Sequence, residues 1–393
     1  MASPKKNIPL LFIIRASMWF MVLMPVIIPF FQSKGLDIQQ ILMLTSIHSL
    51  VIALMEIPSG MLADRWGRRN VLLLGTSFFF LGYLGFCFSM SFWGFALAQL
   101  LLGIANSFIS GTDSALLYDS LISINKPEKY TQYEGQSYSV GNIAESLAAI
   151  IGGLLAAISL DLPLYIQTAM ALVGVPAAFL LFETQHHKES KEPLSRIETY
   201  KTTFKFTFDT SKPLFWIICI SAAGGIATLS MAWLAQSYFE SIDIPISWFG
   251  VLWAALNLSS AFFAFRSHKL FDKFEIKSLL ILLLAILSLG LMVIGFVGGY
   301  IGLAIIFVHY MARGVATPVL RQMIQTESLS AYRATIMSIR SFAIRISYAI
   351  AAPIIGYGIK HLGLQQTFVY LGLVLFILLV VFIRKLFITR AIL

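Results

Sequence analysis

Charge is scarce in this chain. Asp, Glu, Lys and Arg make up 12% of its 393 residues, where a water-soluble domain carries about a quarter. Cysteine is scarcer still: Cys87 and Cys219 both stand in apolar runs, so a disulfide scaffold is excluded and a thiolate metal site is not suggested. No Gly-x-x-x-x-Gly-Lys-Ser/Thr loop occurs, which excludes a phosphate-cradling ATP motor of that kind. No nucleophile–base set and no His-rich cluster of metal ligands appears at a membrane face either, so neither an enzyme nor a cofactor is expected. The adjacent His186 and His187 lie in a mixed-charge segment and read as solvated side chains. What the chain has in quantity is apolar residues, 58% of the total, with a mean hydropathy of +0.83. One water-facing core cannot enclose that much apolar surface, because surface grows too quickly with size. The composition describes an all-α polytopic membrane protein.

A spanning helix needs roughly 20 apolar residues. Breaks at charged or Gly/Pro-marked positions place helices near 8–31, 38–63, 71–90, 93–121, 133–159 and 163–182. Six more follow near 213–239, 246–265, 277–297, 300–325, 334–358 and 364–388. The run from Ile8 to Phe31 is too long for the h-region of a signal peptide and reads as a retained span. The net charge of +9 is dispersed over short loops, so no nucleic-acid partner is expected. Lys and Arg concentrate on one side, at Lys5, Lys6, Arg65, Arg68, Arg69, Lys126, Lys129, Arg266, Lys269, Lys273, Lys277, Arg321, Arg333, Arg384 and Lys385. The rule that cytoplasmic loops are positive puts both termini and the long middle segment on the cytoplasmic side of a cytoplasmic (inner) membrane. Three parts follow: a six-helix bundle over 1–182, a cytoplasmic linker over 183–212, and a second bundle over 213–393. Within the linker, 194–208 suits an amphipathic surface helix.

The halves repeat. Leu62-Ala63-Asp64-Arg65-Trp66-Gly67-Arg68-Arg69 and Leu270-Phe271-Asp272-Lys273-Phe274-Glu275-Ile276-Lys277 both read Leu-x-Asp-base-aromatic-x-x-base. Ala148-Ala149-Ile150-Ile151-Gly152 in the fifth span is answered by Ala352-Pro353-Ile354-Ile355-Gly356 in the eleventh. Two such halves around a mid-depth site are a transporter plan.

The stretch Gly60-Met61-Leu62-Ala63-Asp64-Arg65-Trp66-Gly67-Arg68-Arg69 resembles the signature loop between helices 2 and 3 of the major facilitator superfamily. The first half is most similar to the drug/proton antiporter type. The resemblance implies the twelve-helix major facilitator fold and a cytoplasmic gate. In that gate Asp64 faces the N-terminus of helix 11, and Arg65, Arg68 and Arg69 pair with acids such as Asp119. Asp272 and Lys273 repeat the device, with Glu56, Gly60 and Gly67 belonging to it. Two departures stand out. Gln99 precedes Gly103 where antiporters often carry Arg, and Ala148-Ala149 replaces their Gly-Pro pair.

An ionisable residue in mid-span costs roughly 2.5–3.5 kcal/mol on insertion scales and is a site hypothesis by default. In the family fold helices 1, 4, 7 and 10 line the cavity. That makes Arg15, Trp19, Asp113, Gln236, His309 and Arg313 expected substrate contacts, joined by Arg345 from helix 11. Asp113 also reads as a structural acid or a proton carrier. Glu145 shares a face with Gly141, Ala148, Ala149 and Gly152. It is either a packed structural acid or a proton carrier, with Arg340 and Arg345 as candidate counterions. Arg recognises carboxylate and phosphate through its planar fork. The expectation is therefore a monomeric secondary transporter of a small anionic or zwitterionic organic solute, coupled to protons or another ion, with export favoured. Ion-coupled uptake of an organic anion and a non-transporting receptor or scaffold are the alternatives.

Overall fold

A computed structural model describes residues 4–184, 207, 211–271, 273–328 and 333–391. The expected surface helix over 194–208, the His186-His187 pair and Asp272 lie outside those residues, apart from Thr207. Among the described residues there are 12 helices long and apolar enough to cross a membrane. They are α1 (Pro4–Ser33), α2 (Ile38–Trp66), α3 (Arg68–Phe88), α4 (Phe92–Ser123), α5 (Pro127–Ala156) and α6 (Asp161–Phe179). Then come α7 (Lys212–Ser241), α8 (Ile246–Phe265), α9 (Ile276–Val297), α10 (Gly299–Glu327), α11 (Thr335–Leu362) and α12 (Leu364–Thr389). Helices satisfy every backbone group internally, which hydrocarbon requires. Large side chains on the outward faces, Phe265, Phe296 and Ile350 among them, are correspondingly exposed.

Two spans expected to be continuous are broken. In α1 the helix ends at Trp19, and a short irregular stretch leads through Pro25, which has no N–H to donate, into Ile27–Ser33. In α4 the helix stops at Ile109 and restarts at Thr112, with Gly111 at φ 84° between them. The α1 break lies inside an apolar run that hydropathy reads as continuous, whereas the α4 break falls in the polar stretch Ser110-Gly111-Thr112-Asp113-Ser114.

The residues form two compact units. Unit 1 holds Met1–Leu36, Ile47–Pro193 and Ile246–Ala254; unit 2 holds Asp37–Ser46, Leu194–Pro245 and Ala255–Leu393. The division runs through α2 and α8 as well as through the 183–212 segment. In unit 1, α1 packs on α4, α5 and α6, while α3 packs on α4 and α6. In unit 2, α7 packs on α10, α11 and α12, while α9 packs on α10 and α12. Adding six to each helix number turns one pattern into the other, which is how a duplicated six-helix unit looks in three dimensions.

Small residues in the repeated Ala/Gly motifs permit close approach, as in helix packing generally in membranes. Gly152 of α5 lies against the broken part of α1, where a Cβ would overlap the Val22 carbonyl oxygen. Ala149 and Gly153 meet the first turns of α8 at Gly250. In unit 2 the corresponding helix α11 meets the first turns of α2. Ser46 donates there to the Ala349 carbonyl, Thr45 bonds Tyr348 at 3.1 Å, and Gly356 abuts Gln39.

Helix α2 opens with a capping box. The Gln40 amide donates to Asp37 Oδ1 at 2.8 Å, and the Asp37 amide donates to Gln40 Oε1 at 3.0 Å. Lys360 of α11 donates to Asp37 Oδ2 at 2.8 Å. Partial burial pushes the Asp37 carboxyl up, but the Lys360 hydrogen bond and charge with the Gln40 and Gln39 amides outweigh it and hold it below 3.8.

A depressed carboxyl stabilises the fold above its unfolded value and loses that contribution as pH falls through its folded value. Asp37→Asn is therefore expected to lower stability at pH 7 by less than about 1 kcal/mol, since the pair is largely exposed and screened. Thermal unfolding in detergent should show the gap between variant and parent closing below pH 3.8. Gly152→Val forces α1 and α5 apart. Overpacking of this kind costs about 1–3 kcal/mol, read as a lowered melting temperature in the same assay.

Candidate functional site

The break in α4 puts Asp113 in the first turn of a half-helix, where unpaired N–H groups favour negative charge. The Ser114 amide donates to Asp113 Oδ1 at 2.8 Å. Arg15, one turn before the α1 break, brings Nη2 to 2.7 Å from Asp113 Oδ2 and 3.8 Å from Glu134 Oε1 of α5. Ser114 Oγ donates to that same Glu134 oxygen at 2.8 Å. One guanidinium thus lies between two carboxylates from different helices. Trp19, one turn beyond Arg15, meets Tyr138 edge to face at 6.2 Å. Trp19 and Arg15 both pack over Gly141 of α5.

Arg15, Trp19 and Asp113 stand out in the sequence; Glu134 and Tyr138 do not. Glu134 falls at the start of α5, within Tyr130-Thr131-Gln132-Tyr133-Glu134, where polar residues read as a loop edge. The signal available is the spacing of Tyr130, Glu134 and Tyr138 at four-residue intervals, one face of a helix. Glu145 is half-buried on α5. His48 makes packing contacts: its Nε2 lies 3.2 Å from Asn106 Nδ2 and its Nδ1 3.4 Å from the Gln99 carbonyl.

Unit 2 gathers a different set. Gln236 and His309 are fully buried. His309 is not among the residues lining the cavity that Arg313 enters, although the two are one turn apart. The Arg313 guanidinium stacks over the Tyr310 ring, 5.4 Å from its centroid. Arg313 and Arg345 line a cavity of about 360 Å³ together with Arg321 and Arg340. Arg340 Nε donates to Ser221 Oγ of α7 at 3.0 Å.

The loop after α2 carries a second polar network inside unit 1. Gly67, at φ 94°, precedes α3, and the Arg68 and Arg69 amides donate to Glu183 Oε1 at 3.2 Å and Oε2 at 2.8 Å. Glu183 is thus the cap of α3, supplied from the chain just after α6 rather than from a neighbour in sequence. A Cβ on Gly67 would lie 2.5 Å from Glu183 Oε2. Arg68 Nη1 pairs with Asp119 and donates to the Ala115 carbonyl at 2.6 Å. Arg69 Nη2 donates to the Phe179 carbonyl at 2.8 Å. Asn7 completes the cluster by donating to Ser120 Oγ at 2.9 Å and the Phe182 carbonyl at 2.8 Å, and accepting from the Phe182 amide. Of the other residues expected in a gate, Glu56, Gly60 and Asp64 are partly buried in α2, while Arg65 and Lys273 are exposed.

Twelve apolar spans in two sets related by a six-helix shift, with charged side chains inside the spans, define a polytopic membrane protein of duplicated six-helix plan. The chain belongs to the Major Facilitator Superfamily, whose pattern matches residues 10–328. It is 29% identical over 180 residues to the class B tetracycline resistance protein of Escherichia coli, covering 46% of this chain and 44% of that protein. It is also 29% identical over 175 residues to multidrug resistance protein 1 of Bacillus subtilis (strain 168), covering 43% and 42%. The chain therefore spans less than half of the length of these relatives. A crystal structure of the nucleoside transporter NupG is similar in fold, with a TM-score of 0.77. The identity there is 14%, over 98% of this chain and 99% of that one.

The cap can be tested on stability alone. Glu183→Ala is expected to cost about 1 kcal/mol, the usual worth of an N-cap, and Gly67→Ala more than that because of its positive φ and the clash with Glu183. In a double-mutant cycle the two effects should fall short of additive, since removing Glu183 removes the clash.

Proposed function

We propose that this chain is a secondary active transporter that carries a small anionic or zwitterionic organic solute across the membrane by alternating access, outward and coupled to protons. It works as a monomer in the cytoplasmic membrane, with both termini and the 183–212 segment inside. The two moving bodies are the six-helix halves over 1–182 and 213–393. The observation that carries the reading is Arg15 lying between Asp113 and Glu134 beside two helix breaks.

Broken helices supply fixed dipoles at a membrane site, as in transporters generally. With both acids ionised the three groups sum to −1, and a single proton brings them to zero. A neutral cluster tolerates closure of the surrounding apolar walls far better than a charged one, because low dielectric magnifies any unbalanced charge. Proton uptake and release at Asp113 and Glu134 would then license the two halves of the cycle. Glu145, on the small-residue face of α5, is a second candidate carrier. Substrate contacts are assigned to Arg15, Trp19, Gln236, His309, Arg313 and Arg345.

Asp64, Arg65, Arg68, Arg69, Asp119, Glu56, Gly60, Gly67, Asp272 and Lys273 would close the cytoplasmic side, the Arg68–Asp119 pair forming its fixed part. The similarity to tetracycline and multidrug resistance proteins supports export. Uptake of an organic anion is the same cycle run inward.

Proteoliposomes loaded with a tetracycline or a small organic anion separate these readings. A pH gradient is expected to drive flux of one of them, and its direction relative to the gradient distinguishes export from uptake. Asp113→Asn and Glu134→Gln should each cut gradient-driven flux at least tenfold while solute exchange without a gradient persists. Full gradient-driven flux in the double variant would sink the coupling assignment.

A further inference from the structure

The arginine-lined cavity of unit 2 has a composition unlike the Arg15 cluster. Arg313, Ala316, Thr317, Leu320 and Arg321 reach it from one face of α10, at helical spacing. Met337, Arg340, Ser341, Ile344 and Arg345 do the same from α11, and Ser221, Gly225 and Thr228 from α7. Among the described residues, no acidic side chain lines it. Arg15 is answered by two carboxylates, whereas Arg313 is answered by an aromatic face and Arg340 by a hydroxyl. The Arg340 bond uses Nε, so its two Nη groups remain uncommitted to Ser221. Arg340 is 9% exposed.

The Arg313, Arg321 and Arg340 guanidiniums around one partly buried space repel one another, and buried like charges are expensive. A bound anion reverses that cost. A monocarboxylate presents two oxygens and one charge, enough for a single fork. A phosphate group presents three oxygens and close to two charges at neutral pH, matching guanidiniums that arrive from α10 and α11 with the hydroxyls of Ser221 and Ser341 lining the same cavity. Charge-assisted bonds of this kind are the strong ones. The volume of about 360 Å³ lies at the small end of ligand pockets, enough for a phosphate and a small organic body.

We propose that this cavity binds the dianionic phosphate group of a small organic phosphate or a lipid headgroup. This rests on the transport reading in that Arg313 and Arg345 are among the substrate contacts assigned above. It is tested by binding alone, so its failure and the failure of coupled flux are separable.

The test is binding to the purified full chain, read as a ligand-induced rise in melting temperature with no gradient present. Inorganic phosphate and a soluble phosphate monoester are expected to stabilise it saturably, with acetate at least tenfold weaker. Arg313→Gln and Arg340→Met should weaken phosphate binding at least tenfold, and Arg340→Lys less, because it keeps the charge and loses the fork. Lys126→Gln, which removes an exposed charge elsewhere, should leave binding as in the parent. If Arg340→Met does not fold, Arg313→Gln and Arg340→Lys carry the comparison. Adding phosphatidic acid in nanodiscs identifies the source: competition by the lipid assigns a headgroup, and its failure to compete assigns a soluble phosphate. Equal stabilisation by acetate and phosphate, or unchanged phosphate binding in the arginine variants, would overturn the proposal.

Discussion

A guanidinium placed inside an apolar span must meet something that balances its charge and accepts its N–H groups. Much of this fold is arranged around that demand. For Arg15 the answer is a pair of acids, and it requires two departures from regular helix. Helix α4 breaks at Ser110–Gly111 so that Asp113 stands at the start of a half-helix, and α5 begins early enough for Glu134 to lie beside it. Had α4 run straight through, Asp113 would have occupied mid-helix, with no free N–H at Ser114 to meet its carboxylate.

The duplicated architecture gives the second unit the same neighbour pattern but a different chemistry. Arg313 and Arg340 occupy α10 and α11, counterparts of the α4 and α5 that carry Asp113 and Glu134, and they meet a tyrosine ring and a serine hydroxyl. One unit thus holds a cluster of two acids and a base, and the other a cavity lined by four arginines. Substitution after duplication is enough to separate the two, because the backbone pattern that brings the fourth and fifth helices of each unit together is unchanged.

Rigidity comes from polar bonds at the helix ends and close packing along the helices. Glu183 closes the start of α3, Asn7 ties α1 to α4 and to the end of α6, and Asp37 with Gln40 opens α2. These contacts matter more here than in a soluble protein, since in a bilayer one apolar side chain gains little by leaving lipid for another. The small residues repeated in α5 and α11 serve the same end, by letting backbones touch.

Hydropathy makes the twelve spans readable to within a few residues, because the need for about 20 apolar residues is local to each segment. The repeated Leu-x-Asp motif makes the duplication readable, and Arg68 with Asp119 emerges as a pair from charge, position and the family resemblance. Other partners are hidden for identifiable reasons. Glu134 lies in a tyrosine-rich stretch that reads as a loop edge. Glu183 reads as the first residue of a linker. Arg321 reads as one more base marking the inner side, although it reaches the same cavity as Arg313 two turns away.

Span number, membership of a duplicated twelve-helix family and the presence of charges inside the membrane are therefore written in the linear order of residues. Only the folded chain decided where α1 and α4 break, which acids answer Arg15, and that four arginines share one cavity. The physical reason is that hydrophobic length is a property of a segment by itself, whereas an ion partner depends on which helices lie side by side, and pairing choices of that kind leave no periodic trace along the chain.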